Sequence, residues 1–96
     1  MGLDDLLNKL EQLKPVLKKD YCVKDIGVFG SYARNEATDK SDIDILIEFT
    51  SDMDLFKMVD LSNYLETNLG KKVDISNAKK LKKQLRQSIL SEVKYI

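Results

Sequence analysis

The apolar residues of this 96-residue chain change their period several times, and each change marks an element. Leu3, Leu6, Leu7, Leu10 and Leu13 recur at intervals of three and four, the spacing that puts side chains on one face of a helix. Pro15 has no amide hydrogen and its ring crowds the preceding turn, so it is expected to kink this helix or start a second short helical piece. The helical spacing then stops. Val23 to Phe29 and the β-branched run Ile43 to Phe49 read as strands, with Ser31 to Asn35 between them as a turn or short helix. Helical spacing returns over Asp54 to Leu69, where Leu55, Met58, Val59 and Leu65 make the apolar face and Gly70 the stop. A short strand, Lys72 to Ile75, precedes a last helix from about Leu81 to Val93, in which Leu81, Leu85, Ile89 and Val93 are spaced as one buried stripe. Helix, strand, strand, helix, strand, helix, without repeats or linkers, predicts an α/β (α+β) fold: a small sheet flanked by helices, in a single domain over residues 1–96.

Composition narrows the chemistry. Hydrophobic residues make up 43% and charged residues 33%, the balance of a soluble globular domain rather than a disordered, fibrous or membrane chain. No apolar run approaches the roughly 20 residues that span a bilayer, and the N-terminal MGLDDLLNKL is acidic and amphipathic, unlike a signal peptide; a cytoplasmic location is expected. Cys22 stands alone, which excludes an internal disulfide or a cysteine zinc site. The absence of histidine excludes Ser-His-Asp hydrolysis, histidine metal sites and histidine acid–base catalysis, leaving carboxylates, hydroxyls and bases such as lysine. The formal charge of zero is unevenly spread: residues 71–96 carry eight lysines and arginines against Asp74 and Glu92, a net +6, so the remainder is −6. The run KKLKKQLRQ contains no aromatic residue on which a base could stack, so it reads as a solvated helix face or a surface for an acidic partner, and direct nucleic-acid binding is not expected.

The stretch VFGSYARNEATDKSDIDILIEF concentrates the remaining signal. Side chains alternate across a strand, so Asp42 and Asp44 share one face while Ile43, Ile45 and Ile47 enter the core from the other. Two carboxylates this close raise each other's pKa unless a cation lies between them, and magnesium is the hard, oxygen-seeking ion suited to that place. On the spacing alone, Ser41 and Asp42 could equally cap a turn, with Asp44 merely facing solvent. Upstream, Gly30 permits close backbone approach, Ser31 offers a hydroxyl, and Arg34 lies on the same side of the turn; together these suit a phosphate. Each alone also fits an ordinary surface turn. In combination they are the parts for phosphoryl or nucleotidyl transfer. The GxxxxGK[ST] loop, the kinase HRD and DFG motifs and the EF-hand loop are all absent.

GSYARNEATDKSDIDILIEF resembles the signature of the nucleotidyltransferase superfamily related to DNA polymerase β, in which Gly-Ser is followed, after a short spacer, by Asp-x-Asp. The compactness of the chain is similar to that of the minimal nucleotidyltransferase group, and KKVDIS and ILSEVKYI resemble the group's later strand and its ending. The resemblance implies a mixed sheet in a polymerase β-like fold. It also implies Asp42, Asp44 and Asp74 as catalytic, metal-binding carboxylates, with Gly30, Ser31 and Arg34 on the nucleotide. The implied cofactors are two magnesium ions, with ATP as substrate. Asp74 stands between Val73 and Ile75 and so points away from its apolar neighbours, which agrees with that role if the strands are adjacent. Glu48, on the same strand face, is a weaker candidate at the edge of the site. Asn35 departs from the glycine common in relatives. The resemblance further implies an antitoxin that transfers AMP to a tyrosine of a HEPN-domain ribonuclease toxin. Two other readings stay open on the sequence: a non-catalytic antitoxin acting by occlusion, and a nucleotidyltransferase subunit for a small-molecule acceptor.

Overall fold

In the computed structural model, which describes residues 1–96, the runs Val23–Phe29 and Ile43–Phe49 form the middle of one sheet. β1 (Val23–Phe29) pairs antiparallel with β2 (Ile43–Phe49); β3 (Val73–Asn77) runs parallel to β2, and β4 (Lys94–Tyr95) runs antiparallel to β1. The sheet is thus mixed, four-stranded, and ordered β3-β2-β1-β4. The helices are α1 (Leu3–Asp20), α2 (Gly30–Ala33), α3 (Leu55–Leu69) and α4 (Lys83–Glu92).

Register fixes what each face of the sheet carries. Ile26 pairs with Ile47 and Val28 with Ile45, so these residues share a face, and they cluster with Leu6, Leu10 and Leu17 of α1 and Leu61, Leu65 and Leu69 of α3. All but Leu69 are fully buried, each contributing about 1.5–3 kcal/mol of apolar burial. α3 is delimited by its own chemistry: the Asp54 carboxylate accepts from the Lys57 N–H at 2.8 Å, and Gly70 ends the helix in the left-handed region at φ 72°.

Four sequence expectations are corrected. α1 runs on through Pro15 rather than restarting there: Pro15 and Glu11 are both exposed, so water can take the carbonyl that the proline leaves free, while Leu10 and Leu17 anchor the helix on either side. The apolar face of α3 is Leu61, Leu65 and Leu69; Leu55 and Val59 lie on the solvent side, as does Phe56, 82% exposed. α4 buries no residue at all, Leu85 being 52% exposed, because the sheet's core is already filled by α1 and α3. Finally, the chain does not end in a helix: Val93 leaves α4 in an extended conformation and Lys94–Tyr95 add a strand to the free edge of β1. Gly27 admits that strand, since a Cβ there would meet Val93 Cγ2 at 2.7 Å and the Lys94 carbonyl at 3.0 Å.

Candidate active site

The face of the sheet opposite the core carries the acidic residues. β2 begins at Ile43, so Asp42 is presented from just ahead of the strand, on a turn in which the Ser41 hydroxyl accepts from the Thr38 N–H at 2.9 Å. Asp44 is one strand residue further in. Its register partner on β1 is Phe29 and on β3 is Asp74, so Asp44 and Asp74 stand side by side on adjacent parallel strands. α3 helps set that register: the Glu66 carboxylate accepts from the Val73 N–H at 3.0 Å, and the Ile43 N–H donates to the Lys72 carbonyl at 2.9 Å. Asp74 and Asp42 are exposed and Asp44 is half-buried.

Gly30 completes the arrangement. It follows β1 directly, takes the left-handed conformation at φ 73°, and has no space for a side chain: a Cβ would overlap the Asp44 carboxylate, 2.9 Å from its Cγ. The Asp44 carboxylate therefore lies against the glycine backbone. Ser31 is the next residue of α2, half-buried, and Arg34 caps the helix at its C-terminal end. Asn35 occupies the left-handed region at φ 58°, which asparagine tolerates better than most residues, so it suits the turn. Glu48 is removed from the cluster, four residues along β2 and thus about 13 Å away, with its carboxylate 3.9 Å from Lys24 Nζ.

The electrostatics follow from this crowding. Burial, first, and then the charges of Asp74 and Asp42 raise the Asp44 carboxyl above its ordinary range; Arg34 opposes the shift and Glu92 adds to it. Glu92 is the functional-looking residue that sequence reasoning left without a role. It ends α4, and its carboxylate accepts both from the Gly30 N–H and from Arg34 Nη1, at 2.9 Å to Oε2 and 3.2 Å to Oε1. The available signal was its place in the ILSEVKYI ending. Arg34 Nε also meets Glu36 Oε2 at 3.3 Å.

The donors on this face are all oxygens of hard carboxylates, and Asp44 is raised by burial first and then by its acidic neighbours, which fits a hard divalent cation by chemistry. As the side chains stand, no three acidic groups are drawn together into a ready-made metal cluster. Nor is the face an enclosed cleft. The two hollows of the surface lie elsewhere, one along Lys83, Arg86, Gln87, Leu90 and Ser91 of α4, the other beside the N-terminus and Asn35.

A left-handed glycine turn beside paired carboxylates on a mixed sheet is the arrangement that the sequence reading expects of a phosphoryl-handling protein. Comparison with known proteins makes the class specific. The nucleotidyltransferase domain family matches residues 10–96. The protein adenylyltransferase MntA of Thermococcus cleftensis is 39% identical over 96 residues, covering 100% of this chain and 97% of that protein. Among solved structures, a candidate minimal nucleotidyltransferase superposes with a TM-score of 0.83 at 33% identity, over 98% of this chain and 95% of the other. A toxin–antitoxin crystal structure with AMP-PNP gives 0.76 at 26% identity, over 92% and 69%. This chain belongs to the nucleotidyltransferase domain family.

Proposed function

We propose that this chain is a magnesium-dependent adenylyltransferase that moves AMP from ATP to a hydroxyl, a tyrosine of a HEPN-domain toxin, and thereby acts as that toxin's antitoxin. The observation that carries this reading is the register of Asp44 against Asp74 beside the Gly30 turn. Crowding carboxylates there costs stability, a cost relieved when a divalent cation and a triphosphate share the face. Support also comes from the adenylyltransferase MntA at 39% identity and from the toxin–antitoxin neighbour with AMP-PNP.

In this reading Asp42, Asp44 and Asp74 hold two magnesium ions, which when bound supply the positive charge that offsets carboxylates and phosphates during transfer. The Gly30 backbone, the Ser31 hydroxyl and Arg34 hold the outer phosphates of ATP. The acceptor hydroxyl gives up its proton to solvent as its oxygen bonds to the α-phosphorus, in line with the α–β phosphoanhydride bond that breaks, and pyrophosphate leaves. Asp74, on the edge strand β3, serves the acceptor side. The face is open rather than enclosed, which suits an acceptor that is itself a protein and supplies its own surroundings. Residues 1–96 work as one cytoplasmic catalytic unit. On the toxin, the added AMP group obstructs RNA by charge and bulk.

Intact mass spectrometry of the toxin co-expressed with this chain tests the reading. The expected result is a toxin carrying one or more AMP groups on tyrosine, and an unmodified, active toxin with Asp42→Asn. An unmodified toxin that is nonetheless fully inhibited, with Asp42→Asn protecting as well as wild type, assigns neutralisation to binding instead.

A further inference from the structure

Glu92 occupies the place that the proposed function gives to a phosphate. Its carboxylate takes the Gly30 N–H and the Arg34 guanidinium together, from 62 and 58 residues away in sequence. A backbone N–H at a left-handed glycine and an arginine are also the donors that non-bridging phosphate oxygens use. One set of donors cannot serve both anions at once. The carboxylate is held there by its neighbours: Lys94 and Tyr95 pair with Val28 and Gly27, the Ile96 N–H donates to the Ile26 carbonyl at 3.1 Å, and Val93 packs where Gly27 has no Cβ. The backbone of Glu92 is thus pinned two residues before a docked strand, while its side chain, 21% exposed, keeps a path to solvent. Release breaks its bonds to the Gly30 N–H and the Arg34 guanidinium.

We propose that Glu92 is an internal stand-in for a nucleotide phosphate, and that its displacement from Gly30 and Arg34 sets the affinity of the site for polyphosphates. The proposal rests on the reading of Gly30, Ser31 and Arg34 as the phosphate-holding turn. A donor set occupied by an internal anion for nine-tenths of the time binds an external one about tenfold more weakly than the free set would.

The test is calorimetric titration of the full chain with inorganic tripolyphosphate in EDTA, comparing wild type with Glu92→Gln, Glu92→Asp, Glu36→Gln and Arg34→Ala. Glu92→Gln keeps an acceptor for the Gly30 N–H and is checked for folding by its melting curve. Glu92→Asp keeps the charge but loses the reach, so it separates occupation of the donors from simple removal of a negative charge. Glu36→Gln removes a charge beside Arg34 without touching Gly30. The expected result is tripolyphosphate affinity raised about five- to tenfold by both Glu92 variants, little changed by Glu36→Gln, and lowered by Arg34→Ala. In the ligand-free protein the Gly30 amide resonance should move on Glu92→Gln. If Arg34→Ala weakens binding but neither Glu92 variant tightens it, Glu92 is a scaffold and this inference fails while the phosphate site stands. If Arg34→Ala has no effect and no variant binds, the phosphate site fails as well.

Discussion

Gly30 and Asp44 show how one residue constrains another at this site. A side chain at Gly30 would be strained at φ 73° and would also overlap Asp44, displacing its carboxylate from its place between the Gly30 turn and Asp74. Gly30→Ala is therefore expected to cost about 1–3 kcal/mol from the backbone alone and to abolish transfer, as read by denaturant unfolding and by toxin modification. Asp44→Asn should behave oppositely towards stability. Its carboxyl is raised by burial, then by Asp74 and Asp42, so the folded state binds this proton more tightly than the unfolded chain does. Stability from that proton is present below the ordinary carboxylate range and is lost as pH rises through the raised value. At neutral pH the ionised Asp44 is thus a burden in the metal-free protein, and asparagine removes it. Thermal melts in EDTA should show Asp44→Asn melting above wild type at pH 7, with the gap closing as the pH is lowered into the carboxylate range. A variant melting below wild type at pH 7 would mean that the carboxylate is repaid by contacts other than a metal.

At the scale of elements, legibility followed the source of each signal. β1 and β2 were readable to the residue because each is a run rich in Val, Ile and Phe bounded by polar turn residues, and Asp44 is conspicuous because the isoleucines on either side of it are buried. The place of Asp74 beside Asp44 was readable only through family resemblance, since a five-residue strand carries no information about its neighbour. Periodicity misled where it was not used for packing. Leu81, Leu85, Ile89 and Val93 recur at four, yet α4 buries nothing, and β4 is two residues long, too short to announce itself. Glu92 escaped notice for the same reason: its partners lie on β1's turn, across most of the chain. The contrast predicts a split between helices. Leu65→Ala, in the fully buried stripe of α3, should cost about 2–5 kcal/mol, whereas Leu85→Ala on α4 and Phe56→Ser on the exposed side of α3 should each stay within about 0.5 kcal/mol. Urea titrations of the three variants decide it, and a large loss from Leu85→Ala would mean that α4 packs where it is here exposed.

The whole molecule joins site to stability through its size. With one core cluster of 14 residues shared by α1, α3 and the sheet, the fold has little surplus, so ligand binding should show strongly in its melting temperature. A ligand that binds the folded state but not the unfolded chain, at 100 times its dissociation constant, stabilises by about 2.7 kcal/mol. In a chain of this length each kcal/mol moves the melting temperature by about 4–8 °C, so magnesium with ATP near that saturation should raise it by about 10–20 °C. The unfolded chain scatters Asp42, Asp44 and Asp74 and cannot reproduce the site, whereas in the fold the strands carrying Asp44 and Asp74 are paired in register. Asp42→Asn removes one carboxylate from this set without touching a buried residue, since Asp42 is exposed. Its shift with magnesium and ATP should fall to a small fraction of the wild-type shift, while both proteins should shift little with ATP in EDTA. Equal shifts for the two proteins with magnesium and ATP would remove Asp42 from the metal site and leave the metal to Asp44 and Asp74.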